Sequence, residues 1–173
     1  MTETMTVADL LTDAFGRIQQ LVTRTVTGLT AEQLAYRPQP AANSIGWLIW
    51  HLTRIQDDHI ADAAGTEQVW TARGWYDRLG LPFDAGDTGY GHDSEQVAAV
   101  RIGEPEQLIG YHDAVYRRTV EFVAGLTEQD LTRVVDTRWD PPVTLGVRLV
   151  SVIDDCAQHA GQAAFIRGIL LRR

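Results

Sequence analysis

Four long segments of this chain place apolar residues at helical spacings of three and four, and none shows the alternation typical of a strand. The apolar face of the first segment, 7–26, consists of Val7, Leu10, Leu11, Ala14, Ile18, Leu21 and Val22. A helix with one apolar face buries that face against other elements. The sequence therefore predicts an all-α fold, a four-helix bundle formed by residues 1–173 as one domain.

Capping residues and helix breakers set the limits of the other three helices. The second begins after a proline-containing loop, where Asn43 or Ser44 can cap it, and ends at Gly65. The third covers roughly 104–124, with a proline in its first turn. The fourth begins near Thr144, after the breaker sequence DPP, and runs almost to the C-terminus.

The connection between the second and third helices, 66–103, is long for a helical bundle. Its ring-bearing residues lie among many glycines and aspartates and are Trp70, Trp75, Tyr76, Phe83, Tyr90 and His92. Long ordered loops of this composition often form the wall of a binding site. The alternative is that they cover one end of the bundle or a dimer surface.

Two related heptapeptides, GLTAEQL at 28–34 and GLTEQDL at 125–131, each follow a long helix. In each of them a threonine can cap a short helical turn. The pair indicates either a duplicated helical hairpin or a common way of ending one helix and beginning another.

Composition excludes several functional classes. The chain has 15 arginines, no lysine and 23 acidic residues, and its formal charge of −8 opposes nucleic-acid binding. Without lysine, Schiff-base and P-loop chemistry are excluded. A single cysteine, Cys156, excludes an internal disulfide and any CxxC motif. Because the sequence shows neither a signal peptide nor a membrane-spanning run, we expect a cytoplasmic protein without a membrane partner.

Polar residues interrupt the apolar face of the fourth helix in the sequence DDCAQHAGQ, 154–162. Asp155, His159 and Gln162 fall on one line of this helix, together with apolar residues one turn before and after them. An ionised carboxylate in a core costs on the order of several kcal/mol unless a positive group meets it. Asp155 therefore needs a cationic partner.

The second helix has a matching position. His51 lies between Leu48 and Ile55 on the line expected to face the other helices. A carboxylate and a histidine at i and i+4 can reach one ion, because their Cβ atoms lie about 5–6 Å apart. With His51 as a third ligand, Asp155 and His159 form a candidate metal site that leaves positions open for water or substrate. The alternative is a hydrogen-bonded Asp–His pair in the core and a separate buried histidine.

Two segments resemble a known family: NSIGWLIWHLTRIQDDH in the second helix and DDCAQHAGQAAFIRG in the fourth. They are similar to the signature helices of the DinB/YfiT-like superfamily, particularly its branch of mycothiol-dependent maleylpyruvate isomerase and other mycothiol S-transferases. The resemblance implies a divalent metal, zinc or nickel, held by His51, Asp155 and His159. Aspartate stands here where the transferase branch commonly has glutamate, which leaves the geometry and identity of the metal open.

The resemblance also implies mycothiol as the thiol cosubstrate. A zinc-like ion lowers the pKa of a thiol and holds it as thiolate for attack on an electrophile. Because Cys156 falls on the apolar line of its helix, an external thiol is the better candidate. We therefore expect a metal-dependent thiol S-transferase that acts on a small electrophile as a homodimer. A metal-dependent hydrolase, or a noncatalytic metal-binding or small-ligand-binding stress protein, is the alternative.

Several further residues are candidates for the site. Gln162 can orient a metal ligand, and Arg54 and Arg167 can bind carboxylates of a cofactor or substrate. Each has a structural alternative, as a contact across the bundle or a solvated charge. Five more residues have two interpretations, either contact with a ligand or a structural position in the core or at the surface. They are His112, Asp58, His59, Trp47 and Trp50.

Overall fold

The computed structural model describes residues 4–172 of the chain. Its helices are α1 (Val7–Val26), α2 (Ala31–Ala35), α3 (Ile45–Ala64), α4 (Val69–Ala72), α5 (Trp75–Leu79), α6 (Ser94–Ala99), α7 (Pro105–Val123) and α8 (Leu145–Leu170). A 3-10 turn at Asp130–Thr132 and two antiparallel strands, β1 (Val134–Asp136) and β2 (Val143–Thr144), connect α7 to α8.

The four long helices α1, α3, α7 and α8 form the bundle. Helix α3 packs against α7 and α8, and α1 packs against the same two helices from the other side. One continuous apolar core lies between them, with fully buried side chains such as Phe15, Leu48, Val115 and Leu149. The predicted all-α bundle with a long connection is confirmed. Within residues 4–172, no helix combines the length and apolarity needed to cross a membrane.

Local capping explains where the long helices begin and end. The Ser44 hydroxyl accepts a hydrogen bond from the main-chain N–H of Trp47, and α3 ends at Gly65, whose φ of +66° suits glycine. Thr144 caps α8 in the same way as Ser44 caps α3. The predicted limits at Ser44, Gly65 and Thr144 are therefore confirmed.

The two threonine motifs differ in the structure. Thr30 forms a complete capping box with Gln33 at the start of α2, as predicted. Thr127 instead donates its hydroxyl and its main-chain N–H to the carboxylate of Asp130. The main-chain N–H of Asp130 bonds to the main-chain oxygen of Thr127 and not to its hydroxyl, and a 3-10 turn begins there. The second motif therefore does not cap a helix through its threonine.

The β1–β2 hairpin is an addition to the predicted fold. Its strands have three and two residues, too few to show an alternating pattern in the sequence. Asp136 at the end of β1 accepts hydrogen bonds from Arg138 and from Arg148 of α8. These bonds, led by those of Arg138, hold the pKa of Asp136 below its usual range. A contact with the first turn of the following helix, α8, thus stabilises the hairpin.

The long connection is attached to α3 by a buried carboxylate. The two oxygens of Asp57 accept hydrogen bonds from the main-chain N–H groups of Val69 and Trp70, each at 2.8 Å, in the first turn of α4. The Tyr111 hydroxyl of α7 also donates to Asp57, at 2.9 Å. These contacts fix the start of the connection against the bundle, and its later residues then lie over α3.

Candidate metal centre

Three ligating side chains meet between α3 and α8. The two helices run antiparallel, so that His51 lies beside His159 while His59 lies beside Arg148. His51, Asp155 and His159 each offer one ligand atom, and these atoms all lie within 4.8 Å of one another. His51 is buried, whereas the side chains of Asp155 and His159 are 31% and 20% exposed. Solvent therefore reaches the cluster from the side of α8.

The imidazole of His51 is held in one tautomer. Its Nδ1 lies 2.6 Å from the main-chain oxygen of Thr88, and a carbonyl can only accept, so Nδ1 carries the proton. The lone pair of Nε2 is then free for an ion. Burial lowers the pKa of His51 more than the Thr88 bond raises it, and the nearby His159 lowers it further. His51 is therefore a neutral imidazole, the form that binds a metal.

Residues 87–92 of the connection, here called the strap, lie directly on the His51 ring. Gly89 makes this possible, because its φ is +87° and a Cβ atom there would lie 3.0 Å from Nδ1 of His51 and 2.9 Å from the Trp50 ring. Thr88 and Gly89 are not among the site residues that the sequence predicts. Thr88 contributes a main-chain oxygen, and Gly89 contributes the space that a side chain would fill. Neither contribution can be recognised from a pattern of residue types in the sequence.

A second histidine stiffens the strap. The indole N–H of Trp47 donates to Nδ1 of His92 at 3.1 Å, so Nε2 of His92 carries the proton and donates to the Asp87 carboxylate at 3.0 Å. Partial burial raises the pKa of Asp87, but the hydrogen bonds from His92 and Gly89 outweigh it and the pKa lies below its usual range. Trp47 also stacks on His51 with ring centroids 4.6 Å apart. These contacts of Trp47, His92 and Asp87 fix the orientation of the His51 ring.

His159 presents its free nitrogen in the same way. Its Nδ1 lies 2.8 Å from the main-chain oxygen of Asp155, one turn earlier in α8, which leaves Nε2 unprotonated in the neutral ring. Burial lowers the pKa of His159, but hydrogen bonding and charge from Asp155 exceed that effect and raise it. The carboxylate thus favours a positive charge at this position.

The Asp155 carboxylate fits a metal ion. Its Oδ2 is buried and lies 3.3 Å from Nδ1 of His159, but within the described residues it accepts no hydrogen bond. A buried carboxylate oxygen without a donor is costly, and a cation removes that cost. Two imidazoles and one carboxylate are also a ligand set that zinc accepts. The residues present therefore fit the divalent metal that the sequence predicts.

The three residues predicted to bind a cofactor lie apart from the triad. Arg54 is fully buried and donates to the main-chain oxygens of Asp87 at 3.0 Å and Ala85 at 3.2 Å. Arg167 donates to the main-chain oxygen of Thr25 at the C-terminal end of α1, where a positive charge is favourable. Gln162 lies on the exposed side of α8. Arg54 and Arg167 thus have structural roles, and cofactor binding by all three residues stays a prediction.

Of the remaining candidates, His59 and Asp58 have hydrogen-bond partners within the protein, and His112 lies in the core. His59 accepts a hydrogen bond from Arg148, and burial followed by the Arg148 charge lowers its pKa. Asp58 accepts from Gln68 of the connection. His112 is fully buried, and within residues 4–172 neither ring nitrogen has a hydrogen-bond partner. His112 is not part of the ligand cluster, so the structure favours the core histidine over a fourth ligand.

Comparison with known proteins identifies the family. The family model described as mycothiol S-transferase matches residues 9–171. The chain belongs to the mycothiol S-transferase family. The resemblance found in the sequence is therefore confirmed.

One solved structure similar to this member of the mycothiol S-transferase family is described as a conserved protein of locus from Enterococcus faecalis. The two chains share 29% sequence identity and superpose with a TM-score of 0.90. The match covers 98% of this chain and 100% of the other, so the whole fold is shared. No curated protein matches the chain.

Proposed function

We propose that this member of the family is a metal-dependent thiol S-transferase that joins mycothiol to a small electrophile. Family membership supports the thiol, and the triad supports the metal. The observation on which the proposal mainly rests is the buried Oδ2 of Asp155, which accepts no hydrogen bond within residues 4–172 and belongs to a cluster with the two imidazoles of His51 and His159. A cation of the zinc type, with nickel as the alternative, suits this set of ligands.

The metal would supply one kind of chemistry, namely a lowered pKa for a thiol that reaches the site. His51, Asp155 and His159 would hold it, and the strap would keep the His51 ring in register. The exposed edges of Asp155 and His159 leave an approach from the α8 side for the thiol and the electrophile. In the overall reaction a sulfur–carbon bond forms, the leaving group departs, and the thiol proton passes to solvent.

The thiol must come from outside the chain. Cys156 is fully buried, and its sulfur lies 3.4 Å from the main-chain oxygen of Leu52. Burial raises the pKa of the Cys156 thiol well above its ordinary value, and the charge of Asp155 raises it further. A protonated, enclosed thiol is a poor nucleophile.

The proposal is tested with the metal-loaded protein, mycothiol and 1-chloro-2,4-dinitrobenzene. Conjugate and dinitrophenol are separated by chromatography, with metal-stripped protein and the His159→Ala variant as controls. The proposal expects conjugate formation that needs both the metal and His159. Equal rates of conjugation in all three samples would contradict it. Metal-dependent dinitrophenol without conjugate would instead identify a hydrolase, and metal occupancy with neither product would indicate a binding protein.

We also propose a cytoplasmic homodimer that binds neither nucleic acid nor membrane. The net charge of −8 opposes nucleic-acid binding, and a single cysteine suits a reducing compartment. Sedimentation of the purified protein measures the assembly directly, and a mass of one chain would contradict the dimer.

A further inference from the structure

A cavity of about 560 Å³ opens on a different part of the molecule, between α7 and the short helices α4 and α5. Its volume lies in the range that holds small ligands. No residue of the triad or of the strap lines it. The charged residues around it are Arg73, Arg78, Arg117, Arg118, Glu67 and Glu121.

The floor of this cavity is firmly packed. Trp75 fits against Gly110 of α7, where a Cβ atom would lie 2.8 Å from the indole ring. The ring also lies 5.8 Å, centroid to centroid, from the buried ring of Tyr111. Because Trp75 is wedged in this way, the walls on either side of it have a fixed spacing.

The positive charge of the cavity is unusual for this chain. The chain as a whole has eight more acidic than basic residues, yet four arginines and two glutamates surround the cavity. Arg78 lies over the Trp75 ring at 4.6 Å, and Arg118 lies 3.5 Å from Glu121. The side chains of Arg73 and Arg117 have neither an ion-pair nor a hydrogen-bond acceptor anywhere in the described ranges.

Arg73 and Arg117 are exposed, and their guanidinium groups, which have no acceptor within the described residues, define the ligand class. Each guanidinium has five N–H donors in a planar fork that matches a carboxylate or phosphate group. Arg73 comes from the connection and Arg117 from α7, so the two forks stand on opposite elements. An anionic group bound to each would also relieve the repulsion among the four arginines.

We propose that this cavity binds a small polyanion with at least two carboxylate or phosphate groups, with Arg73 and Arg117 as its principal donors. This site is separate from the metal centre and does not depend on the transferase proposal.

Isothermal titration of the full chain tests the site with two probes, fructose 1,6-bisphosphate for phosphate groups and tricarballylate for carboxylates, at constant ionic strength. At least one probe is expected to bind saturably with one molecule per chain. The Arg73→Gln/Arg117→Gln variant is expected to bind it at least about tenfold more weakly, since two charge-assisted contacts are lost. Tryptophan emission is expected to shift on binding, and the Trp75→Phe variant to lose that shift.

Two controls keep the result specific. Arg24→Gln/Arg101→Gln removes the same charge from exposed positions elsewhere and is expected to bind the probe as the unaltered chain does. His159→Ala, which lacks one of the proposed metal ligands, is expected to do the same. Failure of both probes to bind, or equal weakening in the two arginine variants, would overturn the proposal.

Discussion

The Nδ1 atom of His51 lies 2.6 Å from the main-chain oxygen of Thr88, so a residue of the long connection fixes the tautomer of a ligand on α3. The same connection is anchored by Arg54 and Asp57, which also belong to α3. The connection therefore does more than join two helices. It orients one of the three side chains that we propose to hold a metal ion.

Gly89→Ala is expected to weaken metal binding. Its Cβ would lie 3.0 Å from Nδ1 of His51 and 2.9 Å from Trp50, so the strap must move away from the ring. We expect a loss of about 10- to 100-fold in zinc affinity, typical of lost support for a ligand, and a fall of about 1–3 kcal/mol in the free energy of unfolding. Zinc competition with a chromophoric chelator and urea unfolding measure the two effects.

Gly91→Ala is the matched control for this test. Gly91 also has a positive φ, +77°, but a Cβ there would meet nothing within 4 Å. Gly91→Ala should therefore lower the free energy of unfolding only through backbone strain, by about 1–2 kcal/mol. Its zinc affinity should equal that of the unaltered chain. If both alanine variants bind zinc like the unaltered chain, the strap does not support His51.

Arg54→Gln is expected to destabilise the fold strongly. The buried guanidinium donates to the carbonyls of Ala85 and Asp87 and lies 3.8 Å from Asp57. Removal would leave these acceptors without donors and Asp57 without a nearby cation. We expect a loss of about 3–5 kcal/mol in urea unfolding at pH 7. Arg17→Gln, which breaks an exposed pair with Asp13, should show no measurable change; an equally small effect at Arg54 would refute the anchoring role.

His112 is expected to make folding stability depend on pH. Burial lowers the pKa of His112 to about 4, and the charge of Asp113 offsets only part of this effect. Between about pH 4 and the unfolded value of about 6.5 the unfolded chain binds more protons, so stability falls as pH falls. The free energy of unfolding should therefore drop by about 2 kcal/mol more between pH 7 and pH 5 in the unaltered chain than in His112→Leu. Parallel curves for the two proteins would argue against a buried neutral histidine.

Cys156 is expected to be unreactive in the folded protein. The thiol is fully buried, and its pKa is raised by burial and by Asp155. Ellman's reagent should label it slowly in buffer and rapidly in urea, and Cys156→Ala should still catalyse conjugation of mycothiol. Rapid labelling of the native chain, or an inactive alanine variant that still binds metal, would point to a role for the chain's own thiol.

Much of the fold could be predicted because its signals are local. Apolar periodicity locates the four long helices, and Ser44, Gly65 and Thr144 end or begin them through contacts with neighbouring residues. The β1–β2 hairpin has no such signal, because its strands of three and two residues are too short to show an alternating pattern. The second threonine motif shows the same limit, because its sequence predicts a cap and the chain forms a 3-10 turn there instead.

The candidate site also has one part that the sequence predicts and one part that it does not. Spacing and family resemblance select His51, Asp155 and His159, and the structure brings them together. Thr88 could not be selected, because it contributes only a carbonyl that every residue possesses. The path of the strap depends on contacts made far away in sequence, such as the bond from Arg54 to Asp87. Side-chain chemistry was therefore predictable, and its main-chain support was not.

The most direct test is zinc stoichiometry at equilibrium in the unaltered chain and in the variants Asp155→Asn, His159→Gln and Asp154→Asn. Asp154 is exposed, and within residues 4–172 its side chain is bonded only to Gln158, which makes it a matched control for its neighbour. We predict one zinc per chain in the unaltered protein and in Asp154→Asn, and severe loss in the two triad variants. Full occupancy in both triad variants, or no zinc in the unaltered chain, would contradict the metal centre.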